Sequence, residues 1–131
     1  DFGYDVVSSD LIDRGYGDVA DFLKTTEMPN DSNCIITNPP YKYATEFVKH
    51  SLELLKEGGL CAMFLKTTFL EGQKRYDEIF STTPPIYVLQ FSKRITCAQN
   101  ADFKNCKSSA IAYAWYIWQK GYKGETTIKW I

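Results

Sequence analysis

Paired cysteines, long apolar runs and an excess of either charge are all missing from this sequence. The four cysteines, Cys34, Cys61, Cys97 and Cys106, lie far apart with no CxxC pair, so the usual zinc-ligand spacing is absent and no metal site is expected. Cys34 and Cys61 sit inside apolar runs, as buried thiols do, and reduced thiols are the default for Cys97 and Cys106 on either side of a polar stretch. No apolar stretch reaches the roughly 18 residues of a membrane-spanning helix. The N-terminal DFGYDVV lacks a basic segment followed by an apolar one. No membrane contact is expected, and the chain is read as soluble and cytoplasmic. The net charge of −1 announces no polyanionic partner globally. Repeats and low-complexity tracts are also lacking.

What is present describes one α/β domain. A chain of 131 residues has room for a single core, and 44% hydrophobic with 24% charged residues argues against disorder. Strands are expected at 4–9 (YDVVSS), 33–37 (NCIIT), 60–65 (LCAMFL), 86–91 (IYVLQF), 110–118 (AIAYAWYIW) and 126–131 (TTIKWI). A helix is expected over 43–56, where Ala44, Phe47, Val48, Ser51, Leu52 and Leu55 share one face and Gly58-Gly59 ends it, and a shorter one over 72–80. LCAMFL is apolar on both faces, which predicts a central parallel strand covered by helices. The GYKG turn predicts an antiparallel hairpin at the C-terminal edge of a mixed sheet.

The stretch IITNPPYK is the informative one. A buried strand stops at an asparagine, two prolines and a tyrosine, and prolines suit neither a helix interior nor a sheet interior. In open α/β sheets ligands bind beyond the carboxyl ends of the strands, which is where this segment falls. Its residue types suit methylation of an exocyclic amine. Such a nitrogen is a poor nucleophile because its lone pair is delocalised. The Asn38 side-chain oxygen and the Pro39 carbonyl can both accept hydrogen bonds from it, drawing it towards sp³ geometry and freeing the lone pair for in-line attack on a sulfonium methyl. Pro39 and Pro40 make the carbonyl direction rigid, and Tyr41 offers a flat ring face to the substrate. A proline-terminated strand with a core tyrosine is the plain alternative.

NPPY after an apolar strand resembles the catalytic motif of amino-group S-adenosylmethionine (SAM) methyltransferases. The wider text, SSDLIDRGYG, AMFLKTTFLEGQKRYDEIF and AYAWYIWQKGYKG, is similar to phage-type and prophage-encoded DNA methylases specific for adenine N6. The resemblance implies a Rossmann-like fold, SAM as cofactor, DNA as substrate, and a bacterial or phage-infected host cell. It assigns Asn38, Pro39, Pro40 and Tyr41 to catalysis. It matches Asp10 to the acid that binds the SAM ribose, and Asp21 and Phe22 to the pair that holds the adenine. Taken without the family, the two aspartates read as turn or helix caps and Phe22 as core. The segment 93–107, with Lys93, Arg94, Lys104 and Lys107 against a single acid, Asp102, is a candidate phosphate-facing loop. Phe69 and Glu71 are placed at the target-base entrance or, equally, in the core and at a helix start.

One expected element departs from the family pattern. Methyltransferases of this kind open with a strand and a DPCxGxG-type loop, for which this sequence offers only Asp10, Gly15 and Gly17 at DxxxxGxG spacing. The reading is an N-terminally truncated domain that lacks the first strand and Gly-rich loop, with 1–32 as a cofactor-side segment and 33–131 as a catalytic core. The N-terminal segment is then displaced from the sheet or engaged in a homodimer.

Overall fold

A computed structural model describes residues 3–95 and 111–131. Lys104, Lys107, Cys97 and Cys106 lie outside the described residues. Among the described residues seven strands form two sheets. Strands β1 (Ser9–Asp10) and β2 (Asp18–Val19) make a small parallel pair of their own. The main sheet takes β3 (Cys34–Thr37), β4 (Leu60–Lys66), β5 (Tyr87–Gln90), β6 (Tyr113–Gln119) and β7 (Thr127–Trp130) in the order β3-β4-β6-β5-β7. It is a mixed sheet. β3 runs parallel to β4, β6 is antiparallel to both β4 and β5, and β7 is parallel to β5.

Two expectations from the sequence need correcting here. The GYKG turn does not close a hairpin, because β6 lies between β4 and β5 and the chain then crosses to the outer side of β5. The antiparallel pairing in this half of the sheet is β5 with β6 instead. LCAMFL, in turn, is parallel to only one neighbour, and among the described residues helices cover one of its faces. Cys61, Met63 and Leu65 are buried and share their face with Trp118, Tyr116 and Ala114 across the ladder. Phe64 and Trp115 on the opposite face are only half-buried and meet edge-on at 5.3 Å.

The covered face holds the core. Helix α1 (Ala44–Leu54) lays Ala44, Val48 and Ser51 on it, with Leu55 just beyond the helix, and Phe69 and Ile79 close the cluster. The helix ends at Leu54, earlier than the glycines suggest, because Leu55 is already extended at φ −69°, ψ 146°. Gly58 and Gly59 serve the turn into β4. Gly58 adopts φ +78°, and Gly59 has no room for a side chain. A Cβ there would stand 2.2 Å from the Asn33 side-chain oxygen, which itself accepts the Lys56 N–H at 2.9 Å. Gly59→Ala is therefore expected to cost about 1–3 kcal/mol by overpacking, read as a lower urea midpoint. The second predicted helix is a single turn, Gln73–Arg75, that widens into a π-turn over Tyr76–Phe80.

Burial also sets thiol chemistry. Loss of water around Cys61 pushes its thiol up to about 12, whereas Cys34 is exposed. Only the thiolate reacts, so iodoacetamide at mildly alkaline pH is expected to label Cys34 in the folded chain, and Cys61 only in denaturant, as peptide mass spectrometry would show. The sign follows for stability as well. A folded-state value raised above the unfolded one keeps Cys61 neutral and harmless below about pH 9, and this contribution is lost as pH rises towards 12.

Candidate active site

The asparagine-proline motif stands where the strand pattern put it, at the carboxyl end of β3. Thr37, the last residue of that strand, pairs in register with Met63 of β4. Pro39 is buried and anchors the segment, while Asn38 and Pro40 are exposed on either side of it. Pro40, at φ −57° and ψ 125°, starts a 3-10 turn over Tyr41–Tyr43 that leads into α1, and its carbonyl accepts the Tyr43 N–H at 2.9 Å. The two acceptors singled out in the sequence have no such engagement. No hydrogen bond from a described residue reaches the Asn38 side chain or the Pro39 carbonyl.

Tyr41 is 44% exposed and belongs to an aromatic ladder. Its ring stacks on Tyr113 with centroids 6.4 Å apart, and Tyr113 stacks on Phe64 at 5.1 Å and 10°. The Lys66 ammonium, at the end of β4, lies 4.5 Å from the Tyr41 ring centre. Cation–π attraction of this kind is worth about 0.5–1 kcal/mol at an exposed site. The sequence reading missed Lys66 and Phe64. The signal was the parallel pairing of β3 with β4, which puts the ends of both strands at one rim.

The residues assigned to the cofactor are less concentrated. Asp10 ends β1, where its Oδ1 accepts the Ile12 N–H at 3.0 Å and its Oδ2 meets Arg14 at 3.3 Å. The Ile12 N–H, followed by Arg14, holds its carboxyl below the usual value. Asp21 caps the turn Phe22–Lys24 by accepting the Leu23 N–H at 3.2 Å. Both aspartates thus fill the local capping roles that the sequence also allowed. Phe22 stacks on Phe47 at 5.0 Å and meets His50 edge-on at 5.2 Å, which brings it onto the helix that the motif leads into. His50 is partly buried there, and its Nε2 has no hydrogen-bond partner among the described residues. The glycines of DRGYG form a turn between β1 and β2 and lead into a strand rather than a helix.

Lys93 and Arg94 follow β5 and are exposed. With Gln90, Phe91, Ala112 and Tyr113 they line a cleft of about 210 Å³. Tyr113 belongs both to this cleft and to the ladder that carries Tyr41. Phe69 does not line an entrance. It is buried, edge-on to Tyr116 at 5.6 Å, with the Arg75 guanidinium over its ring at 5.1 Å.

No family model and no curated protein matches the chain. Solved structures do. A predicted O-methyltransferase of Agrobacterium tumefaciens superposes with a TM-score of 0.52 at 12% identity, over 75% of this chain and 40% of that one. A candidate class I S-adenosylmethionine-dependent methyltransferase of Listeria monocytogenes gives 0.44 at 13%, over 66% of this chain and 25% of that one. The first match shows a shared α/β, Rossmann-like fold with a mixed sheet, and the chain spans about two fifths of that protein's length.

Proposed function

We propose that this domain transfers a methyl group from SAM to the exocyclic N6 amine of adenine in DNA. The observation that carries the reading is the pair of acceptors, Asn38 and Pro39, at the mouth of a parallel strand beside an exposed tyrosine ring. The amine donates to the Asn38 oxygen and the Pro39 carbonyl. Its lone pair is then directed away from the ring system and towards the incoming methyl group. Tyr41 holds the base plane, and the loop at Lys93 and Arg94 holds phosphate. A strong general base is unnecessary, because the nitrogen becomes acidic only after it is methylated.

The donor set fits the adenosine half of SAM. Each carboxylate of Asp10 and Asp21 has lone pairs beyond those in use, suited to a vicinal diol and an amino group. Phe22 supplies an apolar ring, and the His50 ring, whose Nε2 has no hydrogen-bond partner among the described residues, lies edge-on to it. When bound, SAM supplies an electrophilic methyl on its sulfonium.

Tyr41→Ala is expected to weaken substrate binding while leaving SAM affinity intact, and Tyr41→Phe to be mild. Methylation kinetics giving the reverse order would assign the role to the hydroxyl instead of the ring. Neutralising Lys93 and Arg94 together is expected to flatten the salt dependence of DNA affinity by nearly two slope units. Glutamine N5 methylation of a peptide is the rival activity that the same motif allows. Transfer to a glutamine peptide and none to DNA would select it. A non-catalytic binding remnant predicts no SAM binding by calorimetry. Homodimer formation through the N-terminal segment, 1–32, belongs to the same proposal, supported by β3 standing at the edge of the sheet among the described residues, where Ile36 is 70% exposed. Sedimentation that shows a monomer at every concentration would remove it.

A further inference from the structure

Four described lysines pair with carboxylates; of the others, Lys120 and Lys123 donate to the Glu53 and Thr82 carbonyls and Lys129 lies 4.4 Å from the Tyr87 ring centre. Lys24, Lys49, Lys56 and Lys74 each meet a carboxylate, at 3.3 Å on Asp21, 2.7 Å on Glu78, 2.8 Å on Asp31 and 3.6 Å on Glu78. The two lysines at the asparagine-proline motif do not. Lys42 lies 5.3 Å from the ring centre of Tyr43, and Lys66 lies 4.5 Å from that of Tyr41. Among the described residues neither has a carboxylate partner. An aromatic face attracts a cation but brings no opposite formal charge beside it. Lys42 lies within the tyrosine-bearing turn, and Lys66 reaches the same turn from the end of β4.

We infer that Lys42 and Lys66 bind phosphate groups of the strand that carries the target amine, so that the acceptor is a nucleic acid and not a neutral amide side chain. The inference rests on the proposed site for where the acceptor enters, but its test needs no methyl transfer. Lys66 is the inner contact, held against the ring that receives the base, and Lys42 is the outer one. A phosphodiester displaces solvent and counterions here without first breaking an ion pair, which lowers the cost of recruiting each lysine.

The test is binding of a short fluorescein-labelled oligonucleotide to the whole chain, by anisotropy between about 50 and 200 mM salt. Lys66→Gln and Lys42→Gln are each expected to reduce the slope of log affinity against log salt by about 0.7 on a single strand or about 0.9 on a duplex. Lys66→Arg should keep the slope. Lys56→Gln, remote and paired with Asp31, should also leave it unchanged. Matching thermal melts would confirm that the variants fold. No binding by the unmodified chain, or equal slopes in Lys66→Gln, Lys42→Gln and the unmodified chain, would overturn the inference. Lysine-dependent binding without methyl transfer would sink the proposed function and leave the phosphate contacts standing. Methyl transfer to DNA with the slope unchanged in Lys66→Gln and Lys42→Gln would do the opposite, and transfer to a glutamine peptide with no oligonucleotide binding would overturn both.

Discussion

Replacing Asn38 with alanine is expected to lower methyl transfer by about 10²–10³-fold, the usual result of losing one preorganised partner of a charge-developing centre. SAM affinity should not change, because the residues proposed for the cofactor, Asp10, Asp21 and Phe22, lie at β1 and the Phe22 turn, and none bonds to Asn38. The side chain is exposed and outside the core, so the folded population should be unaffected as well. Tritium transfer from labelled SAM measures the first quantity and calorimetry the second. Undiminished turnover in the variant would remove Asn38 from the chemistry. A parallel loss of SAM binding would mean that the side chain supports the cofactor instead of the amine.

The second large effect concerns the sheet itself. Trp118 is fully buried, stacks on Tyr116 at 5.8 Å, and donates its indole N–H to the Thr83 carbonyl at 3.0 Å. Truncation to alanine is expected to cost about 3–5 kcal/mol, against a total stability of about 5–15 kcal/mol for a typical domain. Urea unfolding should show most of the native baseline gone. Trp118→Phe should keep much of the ring contact and lose the bond to Thr83, a smaller total cost of about 1–3 kcal/mol for the part-buried carbonyl left unpaired. A midpoint unchanged by Trp118→Ala would show that β6 is not the keystone of the core. Tyr116 beside it donates to the Lys66 carbonyl at 3.0 Å, so damage here also reaches the strand end that bears Lys66.

Much of this was legible in the residues. The 3.6-residue spacing of Ala44, Phe47, Val48 and Ser51 marks α1, because burying one face is what holds an eleven-residue helix in water. NPPY marks the end of β3, because proline cannot continue a ladder. Strand order was not legible. The run LCAMFL is apolar on both faces whether its neighbours are parallel, antiparallel or one of each, so composition could not reveal that β6 intervenes. The short turn at GYKG is equally silent, since a turn fixes where the chain reverses and not which strand receives it. The strand expected at 4–9 shrinks to Ser9–Asp10, with Tyr4, Val6 and Val7 exposed, because β-branched residues form a strand only when a partner edge lies beside them. The roles of Asp10 and Asp21 divide for a similar reason. A carboxylate that caps a turn and one that awaits a ligand look alike in a sequence.

The position of β6 has a consequence for how the protein is made. β4 and β5 are never neighbours, and the strand that bridges them begins at Tyr113, long after both have been synthesised. A nascent chain emerging from the ribosome therefore carries two apolar strands with a vacant lane between them, one that no local hairpin can fill. The sheet is therefore expected to close only after the Trp-rich strand is released and slots in.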